Sequence, residues 1–358
     1  MRNEIGSHFE YVNQQETNEF SNSFLNFKDF NEQTYTFSGR SAIELVMKDI
    51  LHEKKIQTVY MPSYCCHSMV TPLESLNLNI EYYNVFYNKE GALEYSINEE
   101  KECDVFFLMT YFGEGSEQID ETISKFKNRG SLIIEDITHR MFNDVYYSNH
   151  TDYIIGSIRK WLPVMSGGFA AKKTGRLNVI PTNSSDDYIQ NIKEAMKLKK
   201  RYLDGEAIDK EDFLTLYSKG SHVFTELDFS YCMDNESLEI LNQYDFNNLM
   251  NQRKANCEIL YKGLSDLENI NILSKALNLY QNTPIFVPII LSTRNRNSLR
   301  EYLIRNNVYS PVHWPIFIED NSDIPNFELS LICDQRYGSN EMNRIIDLIR
   351  YWYFNIME

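Results

Sequence analysis

No run in this 358-residue sequence approaches the roughly 20 consecutive apolar residues that a membrane span requires. The opening stretch, MRNEIGSHFEYVNQQ, carries no apolar segment of the kind found in secretory signals, so a cytoplasmic location is expected. The six cysteines, Cys65, Cys66, Cys103, Cys232, Cys257 and Cys333, have neither paired metal-ligand spacing nor the density of a disulfide scaffold. They imply a reducing compartment and no metal site. Excess positive charge is also lacking: the formal net charge is −16, which argues against general nucleic-acid binding. There is no internal repeat and no low-complexity linker.

What is present is an ordinary globular composition, 42% hydrophobic and 24% charged, with an abundance of Tyr and Phe suited to β-rich cores and aromatic-lined pockets. From about residue 36 to 175, short β-rich runs alternate with helical patterns. The runs are Thr58–Met61, Ile80–Val85, Val105–Tyr111, Leu132–Glu135 and Tyr153–Ile155; the helical patterns are Ala42–Leu51, Ser68–Leu76 and Ile119–Lys127. This alternation predicts an α/β fold with a mostly parallel central sheet flanked by helices. Gly168–Lys172 reads as a further short strand, parallel or antiparallel. A polar helix over about 184–204, capped by Ser184 or Ser185, is expected to precede an irregular loop at 205–235 and a long helical stretch at 236–265. The remainder, with a strand at Ile285–Leu291 and helices near Ser298–Asn306 and Glu341–Phe354, reads as a smaller α+β unit. The expected division is therefore a large domain over 1–250 and a small one over 251–358.

Ligands in open α/β sheets bind at the carboxyl ends of the strands, and the informative residues fall there. Asp136 ends the apolar run Leu132–Glu135. An ionised carboxylate so placed is costly unless it meets a positive partner such as a protonated pyridine nitrogen, although strand-end acids also serve simply as turn caps. Lys160 follows the run Tyr153–Ile155 in Gly156-Ser157-Ile-Arg-Lys160. Desolvation there lowers an amine's pKa and frees it to attack a carbonyl, whereas an isolated lysine at a strand end is ordinarily a solvated one. Ser157 stands three residues before it, within hydroxyl reach of a phosphate beside the amine. Ser38-Gly39-Arg40-Ser41-Ala42 opens a helix whose free N–H groups suit a phosphate, or is a plain N-cap. Pro62-Ser-Tyr-Cys-Cys66-His67 follows another strand, so Cys66 or His67 is placed to cover a flat ring at the sheet edge, or merely to pack.

Taken together these segments resemble the DegT/DnrJ/EryC1/StrS family of pyridoxal 5′-phosphate aminotransferases, of fold-type I architecture. Ser38-Gly-Arg-Ser-Ala is similar to that family's phosphate turn, which implies phosphate contacts for Gly39, Arg40 and Ser41. Pro62-Ser-Tyr resembles the segment whose following residues cover the cofactor ring. Glu135-Asp136-Ile-Thr-His139 resembles the Glu-Asp-x-x-Gln/His segment, implying that Asp136 pairs with the pyridine nitrogen and His139 lies toward the ring hydroxyl. Lys160, seven residues before Gly167-Gly168, matches the Schiff-base lysine. Tyr309-Ser-Pro-Val-His313-Trp-Pro resembles the region lining the substrate pocket.

Three departures stand out. Ser157 precedes Lys160 by three residues rather than five, the Glu before Gly-Gly is Ser166, and the Asn-Tyr-Arg-Met that reaches a neighbouring subunit is at best Ser230-Tyr-Cys-Met233. The resemblance implies a homodimer, an amino donor such as glutamate, and a keto-sugar nucleotide acceptor, with Arg159, His313 and Arg336 as candidate contacts to substrate phosphate or carboxylate. The alternatives are a pyridoxal-phosphate enzyme acting on a non-sugar substrate and a non-catalytic cofactor-binding regulator. Sugar dehydratases of this type carry His where Lys160 stands, which speaks against that branch.

Overall fold

The computed structural model describes residues 4–12, 27–87, 93–112, 117–142, 147–272, 282–314 and 324–357. The chain begins with β1 (Ile5–Gly6), β2 (Glu32–Thr36), α1 (Gly39–Glu53), β3 (Thr58–Pro62) and α2 (His67–Ser75). It continues with β4 (Asn79–Tyr87), β5 (Leu93–Ser96), β6 (Val105–Met109), α3 (Glu117–Asn128), β7 (Leu132–Asp136), β8 (Tyr153–Gly156) and β9 (Gly168–Lys172). Eight of these strands form one sheet in the order β2-β9-β8-β7-β6-β3-β4-β5. Its middle, from β4 through β3, β6 and β7 to β8, is parallel. The additions β5, β9 and β2 are antiparallel to their neighbours.

Every residue of β6 is buried, as are all four of β8, because helices cover both faces of the sheet. Continuous apolar runs rather than alternating ones follow from that burial. Parallel strands also bring their carboxyl ends to one edge. Pro62, Asp136 and Gly156, the last residues of β3, β7 and β8, therefore face the same side.

The second half comprises α4 (Gln190–Asp204), α5 (Lys210–Glu226), α6 (Asn235–Gln243), α7 (Phe246–Leu264), β10 (Asn271–Ile272), β11 (Val287–Ile290), α8 (Thr293–Arg305), β12 (Val308–Tyr309), a short α9 (Ile324–Phe327), β13 (Glu328–Leu331) and α10 (Ser339–Asn355). Strands β10, β11 and β13 make a small antiparallel sheet. α7 spans two cores: Leu249 packs in the cluster around the large sheet, whereas Cys257, Leu260 and Leu264 join the cluster around the small one. The N-terminal β1 pairs in parallel with β12, and Ile5 is buried in that second cluster.

Three local expectations change. Residues 205–235 are mainly helical: Asp209 caps α5 by accepting from the Glu211 amide, and Phe213, Tyr217 and Gly220 form its buried side. Gly220, which weakens a helical pattern in sequence, is there for close packing, since a Cβ at that position would stand 2.5 Å from Ile192 Cγ1 on α4. The stretch 236–265 is two helices, broken at Tyr244 with Asp245 capping the second by accepting from the Asn248 amide. Neither Ser184 nor Ser185 caps α4; their hydroxyls bond to Asp186 and to the Cys232 carbonyl, and the helix starts at Gln190. Pro315, in the segment matched to the substrate region, lies outside the described residues. No helix among the described residues is long and apolar enough to cross a membrane.

Candidate active site

A cavity of about 350 Å³ lies at the carboxyl edge of the large sheet. Ser38, Gly39 and Arg40 form one end, and Cys66 and His67 line it from the start of α2. Asp136, Ser157, Arg159 and Lys160 complete the set that the sequence places at strand ends. Thr138, Phe224, Thr225 and Trp314 also line it; Thr138 and Trp314 fall inside segments that the motif resemblance covers, whereas Phe224 and Thr225 carry no signal in the sequence.

The Ser38 end is built by close approach. Ser38 is the N-cap of α1, its hydroxyl accepting from the Ser41 amide at 3.2 Å. The Gly39 and Arg40 amides head the same helix, where N–H groups have no intrahelical acceptor and the dipole favours an anion. The turn rests against β9 at Gly168, where a Cβ would stand 2.3 Å from the Ser38 carbonyl carbon and oxygen. A Cβ on Gly39 would come within 3.1 Å of Ser157 Cβ, so the two segments touch. Arg40 donates from one terminal nitrogen to the Phe224 carbonyl, while its buried Nε has no hydrogen-bond partner among the described residues. Ser41 is fully buried and bonds to Ser38, so Ser38 rather than Ser41 presents a hydroxyl to the cavity.

Asp136 is buried and accepts from the Thr138 amide at 2.8 Å. Burial raises its pKa, against the pull of Thr138 and of the nearby Lys160 charge. Thr138 also ties the floor together, because its hydroxyl accepts from the Ser157 amide at 3.0 Å and its carbonyl accepts from the Trp161 indole at 2.7 Å. Lys160 ends a short 3₁₀ turn, Ile158–Lys160, that follows β8. Its side chain is exposed to the cavity, yet desolvation by the surrounding protein lowers the amine's pKa, with Cys66 and Asp136 opposing and the Arg159 cation assisting.

His139 stands one layer behind the wall. Its ring stacks on Trp314 at 5.6 Å and its Nδ1 accepts from the Phe112 amide, leaving Nε2 buried with no partner among the described residues. His313 is likewise buried, with Nδ1 2.9 Å from Ser330 Oγ; Ser330 donates to Glu328, which also accepts from the His313 amide at 2.8 Å. Burial holds both histidines neutral by lowering their pKa values, His139 most strongly.

Arg336 lines a second cavity of about 370 Å³ that shares Arg159 and Lys160 with the first. All five of its guanidinium N–H donors are engaged. They go to both Asp334 oxygens, Glu10, and the carbonyls of Ser7 and His8. Arg336 thus clamps the N-terminal strap, residues 5–11, over this cavity. Lys199 and Tyr217 fasten the same strap from α4 and α5 by donating to the carbonyls of His8 and Phe9. The strap contributes His8, which sequence reading missed, to the cavity wall.

An orphaned guanidinium nitrogen beside a helix N-terminus, a buried carboxylate at the far side and an accessible amine with lowered pKa between them fit pyridoxal 5′-phosphate. Arg40, Gly39, Ser38 and Ser157 would hold its phosphate, Asp136 its ring nitrogen and Lys160 its aldehyde carbon. Among the described residues no group of His, Cys, Asp and Glu could hold a metal ion.

No family model matches the sequence, and no curated protein matches it. Solved structures do match in fold. Helicobacter pylori PseC, an aminotransferase involved in the biosynthesis of pseudoaminic acid, superposes with a TM-score of 0.66 over 99% of this chain and 100% of that one, at 10% identity. A putative sugar aminotransferase from Streptococcus pneumoniae in its PLP form gives 0.61 over 94% and 90%, at 12% identity. The aminotransferase TlmJ from Streptoalloteichus hindustanus gives 0.58 over 89% and 84%, at 13% identity. The chain has the fold of these enzymes, a large mostly parallel sheet flanked by helices with a smaller α+β part.

Proposed function

We propose that this protein is a pyridoxal 5′-phosphate-dependent aminotransferase that takes an amino group from an amino-acid donor, glutamate first, and passes it to a keto acceptor. The observation that carries the reading is the meeting of Lys160 and Asp136 with the Ser38–Arg40 turn around one cavity at the sheet's carboxyl edge. A nucleotide-linked keto-sugar is the acceptor that the motif resemblance and the sugar-related fold neighbours together favour. The six free cysteines suit a cytoplasmic protein, and the motif resemblance favours a homodimer.

Bound in this cavity, pyridoxal phosphate would supply an aldehyde that condenses with amines and a ring that delocalises the electron pair left when a proton departs. The protein's own groups do the rest. The lowered pKa of Lys160 leaves more of its Nζ unprotonated at neutral pH, so it would hold the aldehyde carbon and, once free again, would take the proton from the donor's α-carbon. Asp136 would keep a proton on the ring nitrogen by charge pairing. That partner also relieves the burial penalty of the carboxylate itself. Thr138 fixes Asp136 and Ser157 relative to each other through two hydrogen bonds. Trp314, stacked on His139, forms one side of the cavity.

The test is an absorbance spectrum of the purified protein, with added cofactor if needed, before and after glutamate. A visible band that Lys160→Ala abolishes and that glutamate converts to a shorter-wavelength form supports the assignment. A band indifferent to amino donors favours a cofactor-binding regulator. No band at all refutes the proposal.

A further inference from the structure

The second cavity is unusually cationic for a chain of net charge −16. Arg159, Arg253, Arg300, Arg336 and Lys160 line it, with Asp334 as the acidic residue of the wall. The buried arginines are already committed. Arg336 has its five acceptors, and Arg253 donates from Nε to Gln335 and from a terminal nitrogen to the Pro284 and Ile285 carbonyls. Arg300 is exposed at the rim on α8.

Arg159 differs from all of these. Its guanidinium lies 3.5 Å from the centre of the Phe224 ring, and no hydrogen bond or ion pair takes up its donors among the described residues. Stacking occupies a face of the guanidinium and leaves the in-plane N–H groups available for a bidentate anion. Desolvation without a counter-charge lowers its pKa to about 10, so it remains a cation at neutral pH. Beyond it the wall turns apolar, with Val164, Met196, Ile285, Phe286 and Ile332.

We infer that Arg159 anchors the α-carboxylate of the amino donor and of its 2-oxo acid product, and that the donor's side chain extends into the second cavity. An α-amino acid carries its carboxylate on the same carbon as its amine. A site that presents that carbon to Lys160 therefore brings the carboxylate close beside it, and Arg159 is the neighbouring residue on the same 3₁₀ turn, on the wall that both cavities share. About 370 Å³ is at the small end of ligand pockets and suits a single free amino acid. The cofactor phosphate is the other oxyanion available, but the Ser38 end already supplies Arg40 with an orphaned Nε and the α1 amides. This inference rests on the aminotransferase reading for the identity of its ligand.

The experiment is calorimetric titration of the purified protein, carrying its pyridoxal phosphate, with pyruvate, 4-methyl-2-oxopentanoate and 2-oxoglutarate. It is run on wild type, Arg159→Leu and Arg159→Lys, with melting curves to establish folding. The affinity of each protein for pyridoxal phosphate is measured in parallel. At least one oxo acid should bind wild type and bind Arg159→Leu tenfold or more weakly, with partial recovery in Arg159→Lys and cofactor affinity changed by less than about threefold. The inference is overturned if no oxo acid binds wild type or if Arg159→Leu binds it unchanged. It is equally overturned if Arg159→Leu loses cofactor affinity while sparing the oxo acid, which would give Arg159 to the phosphate. Oxo-acid binding that depends on Arg159 in a protein whose visible band never responds to any amino acid would keep the anchor and reject the aminotransferase reading.

Discussion

Gly168→Ala tests the cavity from its back wall. The added Cβ would lie 2.3 Å from the Ser38 carbonyl carbon and oxygen and 2.7 Å from the Gly39 nitrogen. Ordinary contact begins near 3.4 Å, so the turn must retreat by 3.4 − 2.3, or 1.1 Å. The atoms in the way are backbone, held on one side by the Thr36–Gly168 ladder pair and on the other by the helix they start, so no side chain can swing aside. Overpacking of this kind costs about 1–3 kcal/mol of stability. A shift of that size also carries the α1 amides out of hydrogen-bond range of a phosphate, losing one charge-assisted bond worth about 1.5–3 kcal/mol, or roughly 10- to 100-fold in affinity. The assay compares pyridoxal phosphate with pyridoxal, which lacks the phosphate but keeps the aldehyde that Lys160 would bond. The variant should lose its preference for the phosphorylated form by at least tenfold while binding pyridoxal nearly as wild type does. An unchanged ratio of the two affinities would refute the phosphate assignment of the turn, whatever the melting temperature did.

Asp136→Asn separates the stability of the site from its chemistry. Because the folded-state pKa of Asp136 is raised, its ionised form destabilises the cofactor-free protein once pH rises through the unfolded value; Asn keeps the Thr138 bond without that charge, so the cofactor-free variant should melt at or above wild type at pH 7. With cofactor and glutamate, the same variant should convert its visible band at least 100-fold more slowly, and an unslowed conversion would remove Asp136 from the mechanism. His8 sets an acid limit through the strap. Its pKa is lowered to about 4, first by burial and then by Lys199, Arg159 and Arg336, whereas the unfolded value is 6.5. The unfolded chain therefore binds the proton first, and stability falls as pH drops from 6.5 toward 4, by about 2 kcal/mol after allowing for partial exposure. His8→Phe should flatten that part of the melting-temperature profile, and a slope identical to wild type would show that His8 does not set it. Thr138→Val removes the hydroxyl that accepts from the Ser157 amide and should cost about 1–3 kcal/mol in thermal or denaturant unfolding.

The fold was readable because a parallel sheet covered on both faces leaves uninterrupted apolar runs, and Val105–Met109 and Leu132–Asp136 need no distant partner to be recognised. The carboxyl-end rule then pointed to Asp136 and Lys160, whose positions depend only on where β7 and β8 stop. Other features depended on sequence separations too large for any local pattern. Whether Ser38 or Ser41 faces the cavity is decided by Gly168, about 130 residues on, pressing against the turn from β9. Arg336 looks in sequence like a free anion-binding arginine. It is saturated because a strap more than 320 residues away supplies two carbonyls and Glu10. Arg159, by contrast, has no hydrogen-bond acceptor among the described residues and stacks on a phenylalanine from α5, a helix that the polar residues around Gly220 conceal. The two arginines are alike as letters. Only the count of donors already spent distinguishes the clamp from the cation with donors still to offer.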